Sequence, residues 1–337
     1  MMHEFKQIIA QALENQRLGI QSVLATVVAL EGSSYRRPGV RMLISENGQM
    51  TGAVSGGCVE KEVLRQSASV FTSGKAKVMT YDGRYRLGCK GTLYILLEPI
   101  QLSAVWQAVF AQHVEQRNAF SIFSYFSRDE HFEGNLGSVL ISEAGSFPFS
   151  TSFLASATTE VFKHLVQPAH RLLIVGAEHD AVKLCQQAAF LGWEVEVMCS
   201  LSNPQKLEYF PGAKAVTPMS PDLFLQYTIG EGTSVMLMTH NYALDLQYLL
   251  AMKERQPDYL GILGSANRRE QLFDGLFEHW PTVDSEFLDR IHSPAGLNIG
   301  AITPEEIALS IISEILALQR NKQPFSLKKV TGSIHIS

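Results

Sequence analysis

The chain has 337 residues, 46% of them hydrophobic, and a formal net charge of −5. This length and apolar content exclude wholesale disorder and allow two domains with cores of their own. The acidic balance argues against a nucleic-acid binder, and no run is long and apolar enough to span a bilayer.

Residues 1–16 place Phe5, Ile8, Ile9, Ala12 and Leu13 at helical spacing among Glu4, Lys6 and Glu14. That is an amphipathic helix and not a signal peptide, so a cytoplasmic protein is expected. The four cysteines, Cys58, Cys89, Cys185 and Cys199, form no Cys-x-x-Cys pair. A structural zinc site is therefore poorly supported, and free thiols in a reducing compartment are expected.

Ser22 to Leu30 reads as a buried strand, and residues 40–45 and 49–54 as a hairpin around Glu46-Asn47-Gly48. An apolar run then stops at Ser55-Gly56-Gly57, and a helix is predicted from Cys58 to about Phe71. Val59, Val63, Val70 and Phe71 lie on its apolar face, with Glu60, Lys61, Glu62 and Arg65 elsewhere. Two glycines bring backbone N–H groups close to a ligand, and a helix start suits an anion and favours a thiolate at Cys58. A tight turn with a space-filling cysteine is the competing reading.

Upstream, Arg36, Arg37 and Arg41 fall within Gly32-Ser33-Ser34-Tyr35-Arg36-Arg37-Pro38-Gly39-Val40-Arg41. Arginine forks suit phosphate or carboxylate, although a charge run is also the mark of a solvated loop. Strands are predicted over 76–81 and 92–98, flanking a turn that holds Gly88-Cys89-Lys90-Gly91. A helix over 102–116 and strands over 119–127 and 138–142 follow. The aromatic run Phe120 to Phe126 is read as core.

Gln167-Pro168-Ala169-His170 reads as a linker, because a doubly wound α/β pattern begins directly after it. Arg171–Val175 is its first strand, Gly176 to Ala181 a turn, and a helix runs to about Leu191. Further strands are predicted over 193–199, 234–239 and 258–263. Thr303-Pro304-Glu305-Glu306 opens the last helix with a capping box, and Ile307, Ile311, Ile315 and Leu318 form its apolar face.

The turn resembles Gly-x-Gly-x-x-Gly/Ala but carries Glu178 at the second glycine. Cys199-Ser200-Leu201 stands where an acid would hold a ribose. Both departures argue against NAD or NADP binding. The strand ends still offer a second candidate site at Gly176, His179, His240, Gly264 and Ser265, with Arg268 and Arg269 beside them. With His292, the histidines leave open either a metal or ordinary hydrogen-bonded imidazoles.

Several of these segments together resemble the xanthine dehydrogenase accessory factor family (XdhC/CoxI). They are residues 32–41, Gly52, Ser55-Gly56-Gly57-Cys58-Val59-Glu60, Leu87-Gly88-Cys89-Lys90-Gly91, Tyr259–Ser265 and Ser293–Ala301. The match is weakest over 101–166. The family pattern has Gly-Cys-Gly-Gly at the second thiol and Gly-Ala-Gly-His-Val-Ala at the Rossmann turn. The chain departs at Lys90, Glu178 and Asp180.

The resemblance implies a mixed α/β N-terminal domain over 1–166, a Rossmann-like domain with a doubly wound parallel sheet over 171–320, and a tail over 321–337. It implies an accessory protein that binds molybdenum cofactor and assists its insertion into a xanthine dehydrogenase-type molybdenum hydroxylase, its client. A homo-oligomer, taken as a homodimer, is expected. Ser33, Ser34, Arg36, Arg37, Arg41 and Ser55 to Cys58 would cradle the pterin phosphate, and Cys58 and Cys89 would stand near the metal. A nucleotide-dependent oxidoreductase and an interaction scaffold with vestigial sites remain as alternatives.

Overall fold

The computed structural model describes residues 2–32, 37–83, 91–129, 132, 134–155 and 159–330, with the backbone alone at Cys58. Two compact units divide the chain, Met1–Pro168 and Ala169–Ser337.

The first unit runs α1 (Met2–Leu18), β1 (Ser22–Gly32), β2 (Arg41–Ser45), β3 (Met50–Gly52), α2 (Cys58–Ser73), β4 (Lys77–Asp82) and β5 (Gly91–Pro99). It continues with α3 (Ala104–Glu115), β6 (Phe120–Phe126), β7 (Gly137–Ser142), β8 (Gly145–Pro148) and β9 (Glu160–Val166). One antiparallel sheet has the order β3-β2-β1-β5-β4, the other β8-β7-β6-β9.

α1 buries Phe5, Ile8, Ile9 and Ala12, the stripe its spacing predicts. It ends where Gly19 takes φ 73° and the Ile20 N–H reaches back to Asn15 O at 2.9 Å. Buried Asn15 then donates to the Ser22 and Ser45 hydroxyls at 2.9 and 2.6 Å, tying α1 to β1 and β2. β1 reads as a continuous apolar run because both of its faces are covered. Val23, Ala25 and Val27 pack with Val59, Val63 and Val70 of α2, as the helical spacing implied.

The other face of this sheet carries buried charge. Thr26 and Arg41 stand opposite each other in register, and Glu98 lies on β5; all three are buried. The Ser138 N–H and hydroxyl donate to the Glu98 carboxylate at 2.7 and 2.6 Å, which ties β5 to β7.

Burial raises the Glu98 carboxyl to about 7, against the Ser138 hydrogen bonds and the Arg41 charge, which favour the ionised form. The native protein therefore keeps a proton there that the unfolded chain releases near 4.5. The stabilising contribution is complete below that value and is lost as pH rises through about 7. Urea midpoints are expected to fall between about pH 5 and about pH 7.5, and Glu98→Gln to flatten that slope. An unchanged slope in Glu98→Gln would assign the effect to another group.

The second unit runs β10 (Arg171–Val175), α4 (His179–Phe190), β11 (Glu194–Ser200), β12 (Ala213–Met219), α5 (Pro221–Phe224), β13 (Thr233–Leu237) and α6 (Tyr242–Ala251). Then come β14 (Tyr259–Ile262), α7 (Ala266–His279), α8 (Ser285–Asp289), β15 (Ile291–His292) and α9 (Pro304–Gln319). Its parallel sheet has the order β12-β11-β10-β13-β14-β15, a doubly wound arrangement with its switch point between β10 and β13.

α9 starts as the sequence indicates. Thr303 caps it and Glu306 reaches back to the Thr303 N–H at 3.1 Å. Its buried stripe is rotated from the expected one, running Ala308, Ile311, Ile312 and Ile315, while Leu318 is 46% exposed.

Candidate functional site

Register brings the motif segments of the first unit to one end of its five-stranded sheet. Gly32 pairs with Gly91, Thr26 with Arg41, Met42 with Gly52 and Asp82 with Thr92. The described residues that flank the motifs, Gly32, Arg41, Gly52, Asp82 and Gly91, therefore lie toward one end of the sheet. Ser33, Ser34, Arg36 and Cys89 lie outside the described residues, as does the side chain of Cys58.

The Gly-Gly turn is built around two constraints. Gly52 has φ 83°, and a Cβ there would lie 2.8 Å from Arg41 O. Gly57 has φ 124°, and added Cβ atoms at Gly56 and Gly57 would meet nothing within 4 Å. The turn thus presents open backbone, and α2 begins immediately after it, at Cys58.

Glu60 modifies the anion-site reading of this turn. The sequence pattern sets it off the apolar face, yet it is buried, and its carboxylate accepts from the Ser55 and Gly57 N–H groups at 2.6 Å each. Those two donors are held internally. Its position three residues after Gly57 is the capping-box spacing, the signal that could have found it.

Arg41 is likewise not a surface donor. It starts β2 buried at 6% exposure; Nη1 donates to Gly39 O at 3.0 Å and to His164 Nδ1 at 2.9 Å, and its guanidinium lies 5.5 Å from the Phe5 ring centre. Burial pulls Arg41 down to about 10, and burial beside that charge pulls His164 down to about 4. Strand pairing with Thr26 turns this side chain toward α1. Arg37, in contrast, is exposed.

The thiols differ in setting. Cys185 is fully buried on α4, with its Sγ 3.8 Å from Pro211 O, and burial pushes its thiol up to about 12. Cys58 is the first residue of α2, a backbone position at which a helix dipole favours a thiolate. Iodoacetamide is expected to label Cys58 well ahead of Cys185 in the native protein. Equal, slow labelling of both cysteines would remove Cys58 from the site.

In the second unit, the carboxyl ends of β10, β11, β12 and β13 enclose a crevice of about 240 Å³. Gly176 has φ 126°, and a Cβ there would fall 2.2 Å from Met238 O, so the first fingerprint glycine is required by close packing against the strand end. Glu178 is the N-cap of α4 in extended backbone, and its carboxylate caps no N–H. α4 begins at His179, three residues earlier than the end of the predicted turn over 176–181 places it, and His179 is exposed. His240 has φ 55° after β13, and its Nε2 lies 3.2 Å from Asp180 Oδ2.

Gly264 has φ 150°, and Ser265 caps α7 by accepting from the Arg268 N–H at 3.3 Å. Arg268 donates to buried Asp245 at 2.7 Å, and Asp245 also accepts from the Thr239 hydroxyl at 2.7 Å. Arg269 donates to Ser293 O at 3.3 Å. His292 stacks on Tyr259 and faces Glu314 at 3.4 Å; Glu314 in turn accepts from Tyr259 and from the Gly296 N–H at 2.6 and 2.9 Å. Asp245 and Glu314 are thus the anchors of this edge, and nothing in their local sequence singles them out. Among the described residues, no group of three or more His, Cys, Asp or Glu is placed to hold a metal.

The geometry defines a mixed α/β unit with a motif-bearing sheet end, followed by a Rossmann-type unit with an altered first turn. The XdhC Rossmann domain model matches residues 172–315, and the XdhC and CoxI family model matches residues 16–82. The chain belongs to the XdhC and CoxI family.

It is 28% identical to a Bacillus subtilis protein named as a probable subunit of xanthine dehydrogenase, over 95% of this chain and 98% of that one. It is 24% identical to "Molybdenum cofactor insertion chaperone PaoD" of Escherichia coli, over 95% of this chain and 90% of that one. A crystal structure from Bacillus halodurans, described as a xanthine dehydrogenase, superposes with TM-score 0.77 at 27% identity, covering 94% of this chain and 97% of that one. No helix among the described residues is long and apolar enough to cross a membrane.

Proposed function

We propose that this chain is an accessory protein that binds molybdenum cofactor and assists its insertion into a xanthine dehydrogenase-type molybdenum hydroxylase. It would act as a cytoplasmic homo-oligomer, with binding over 1–166 and a Rossmann-like domain over 171–320. The observation that supports the reading is that the described residues flanking the motifs, Gly32, Arg41, Gly52, Asp82 and Gly91, lie toward one end of the sheet. The names of the B. subtilis and E. coli relatives support it.

The residues present fit such a cofactor. The open backbone at Gly56 and Gly57 leaves room for a ligand, and Arg36 and Arg37 offer forked donors for a phosphate. Cys58 and Cys89 supply soft ligands or neighbours for the metal end. Arg41 enters this proposal as a brace under the loop, and Glu60 as the group that sets the turn. When bound, the cofactor supplies the redox-active molybdenum centre of the client, and this chain holds and shields it.

The test is anaerobic purification from a molybdate-fed host, with pterin and molybdenum analysis. Co-purified pterin and metal near one per chain is the expected outcome. Absence of pterin from the protein, even when a client hydroxylase in the same cells is loaded, would sink the proposal.

A further inference from the structure

His164 reaches the arginine loop from an element that carries none of the motifs. It lies on β9, paired in register with Ile122 of β6, in a stretch that neither family match covers. Strand alternation turns it inward, between exposed Lys163 and Leu165.

Its ring packs against the turn that ends the loop. Gly39 has φ 100°, and a Cβ there would lie 3.2 Å from Cε1 and 3.3 Å from both Cδ2 and Nδ1 of His164, so the imidazole lies face-on to the Gly39 backbone. The Gly39 N–H donates to Val27 O at 2.8 Å, and the Val27 N–H to Val40 O at 3.1 Å, which pins the turn to β1. Between this pinned point and exposed Arg37 stands Pro38, whose ring fixes φ.

Arg41 joins the two. Its Nη1 donates to Gly39 O at 3.0 Å and to His164 Nδ1 at 2.9 Å, while its Nε and Nη2 are buried and have no partner among the described residues. The imidazole is thus a main hold on a buried guanidinium. Arginine only donates, so Nδ1 carries the lone pair and Nε2 the proton. Burial and the Arg41 charge pull the ring down to about 4, so it accepts throughout the neutral range.

We propose that His164 is a positioning residue for the arginine loop: as an acceptor it locks Arg41 onto the Gly39 carbonyl and so sets where Arg37 is presented. The consequence for ligand binding rests on the cofactor reading of Arg37, whereas the locking of the loop does not.

Trypsin tests this on the full-length protein. The bond after Arg36 is a substrate, the bond before Pro38 is not, and the protease must draw Gly39 out of its pinned turn to seat the first. His164→Phe keeps a ring against Gly39 without an acceptor. It is expected to speed cleavage after Arg36 about tenfold, with cleavage after exposed Lys206 of the second unit unchanged. His164→Asn, whose amide oxygen replaces Nδ1, should return the wild-type rate, a rescue that a space-filling His164 would not give. Nitrogen-15 NMR needs no variant: in the wild type, His164 should keep an unprotonated Nδ1 from about pH 5 to about pH 8. A wild-type cleavage rate in His164→Phe, no rescue in His164→Asn, or a protonated Nδ1 in the wild type would each overturn the proposal. Anaerobic pterin retention should fall in His164→Phe and return in His164→Asn. Retention that stays put while cleavage rises supports the locking of the loop and removes the cofactor role of Arg37.

Discussion

Arg37→Ala and Cys58→Ser are each expected to lower molybdenum-cofactor retention about tenfold or more, the loss of one charge-assisted contact being worth about 1.5–3 kcal/mol. The two residues answer different ends of one ligand. Arg37 is exposed, whereas internal contacts hold Arg41. Cys58 opens α2 behind a turn whose glycines leave space for a ligand. A solvated arginine and a space-filling thiol would have no reason to act on the same binding event.

Arg41→Ala provides the contrast. It should lower thermal stability, because it removes a buried guanidinium that braces Gly39 and His164 and leaves the His164 ring without its partner. Retention measured after anaerobic gel filtration, beside melting temperature, separates the two classes. If Arg37→Ala and Cys58→Ser retain as much pterin as the wild type, the assignment of these residues fails.

Central elements were legible because their patterns are redundant. β1 is apolar on both faces, β10 and α4 follow each other with the doubly wound spacing, and Thr303-Pro304 with Glu306 marks the start of α9. The strands that escaped, β8, β9, β12 and β15, are short or lie at a sheet edge, and β12 carries Pro218. Edge positions tolerate polar residues and proline, which erases the alternation that identifies a strand.

The site was legible in its motifs but not in its internal pairing. Three arginines look equivalent in sequence, yet strand register with Thr26 turns Arg41 inward while Arg37 stays outside. The Gly-Gly turn looks like a free anion cradle, yet Glu60 already occupies two of its donors. Asp245 and Glu314 organise the Rossmann edge through contacts 23 and 18 residues away in sequence, beyond the reach of local pattern.

NAD and NADP are expected to bind the second unit weakly or not at all, and Glu178→Gly to raise the affinity for NAD at least about tenfold. Gly176 meets the first demand of the fingerprint, since its backbone passes too close to Met238 for any side chain. Ala181 meets the third, buried against the strands. The failure is concentrated at Glu178. Unit charges about 4 Å apart repel by about 4 kcal/mol at an effective dielectric of about 20, enough to cancel what the helix N-terminus offers a diphosphate.

Glu178 sits in extended backbone with φ −83°, so glycine there costs little and the fold should survive the change. The ribose end stays deficient, because Cys199 is buried with its Sγ accepting from the Gln205 N–H at 3.4 Å, and no carboxylate follows at Ser200 or Leu201. Adding Ser200→Asp to Glu178→Gly should therefore give a further gain for NAD but none for NADP, whose 2′-phosphate the new carboxylate would repel. Calorimetric titration at neutral pH decides the matter. A low-micromolar dissociation constant for either dinucleotide in the wild type would show that Glu178 does not block the diphosphate, and would favour an oxidoreductase reading of this unit.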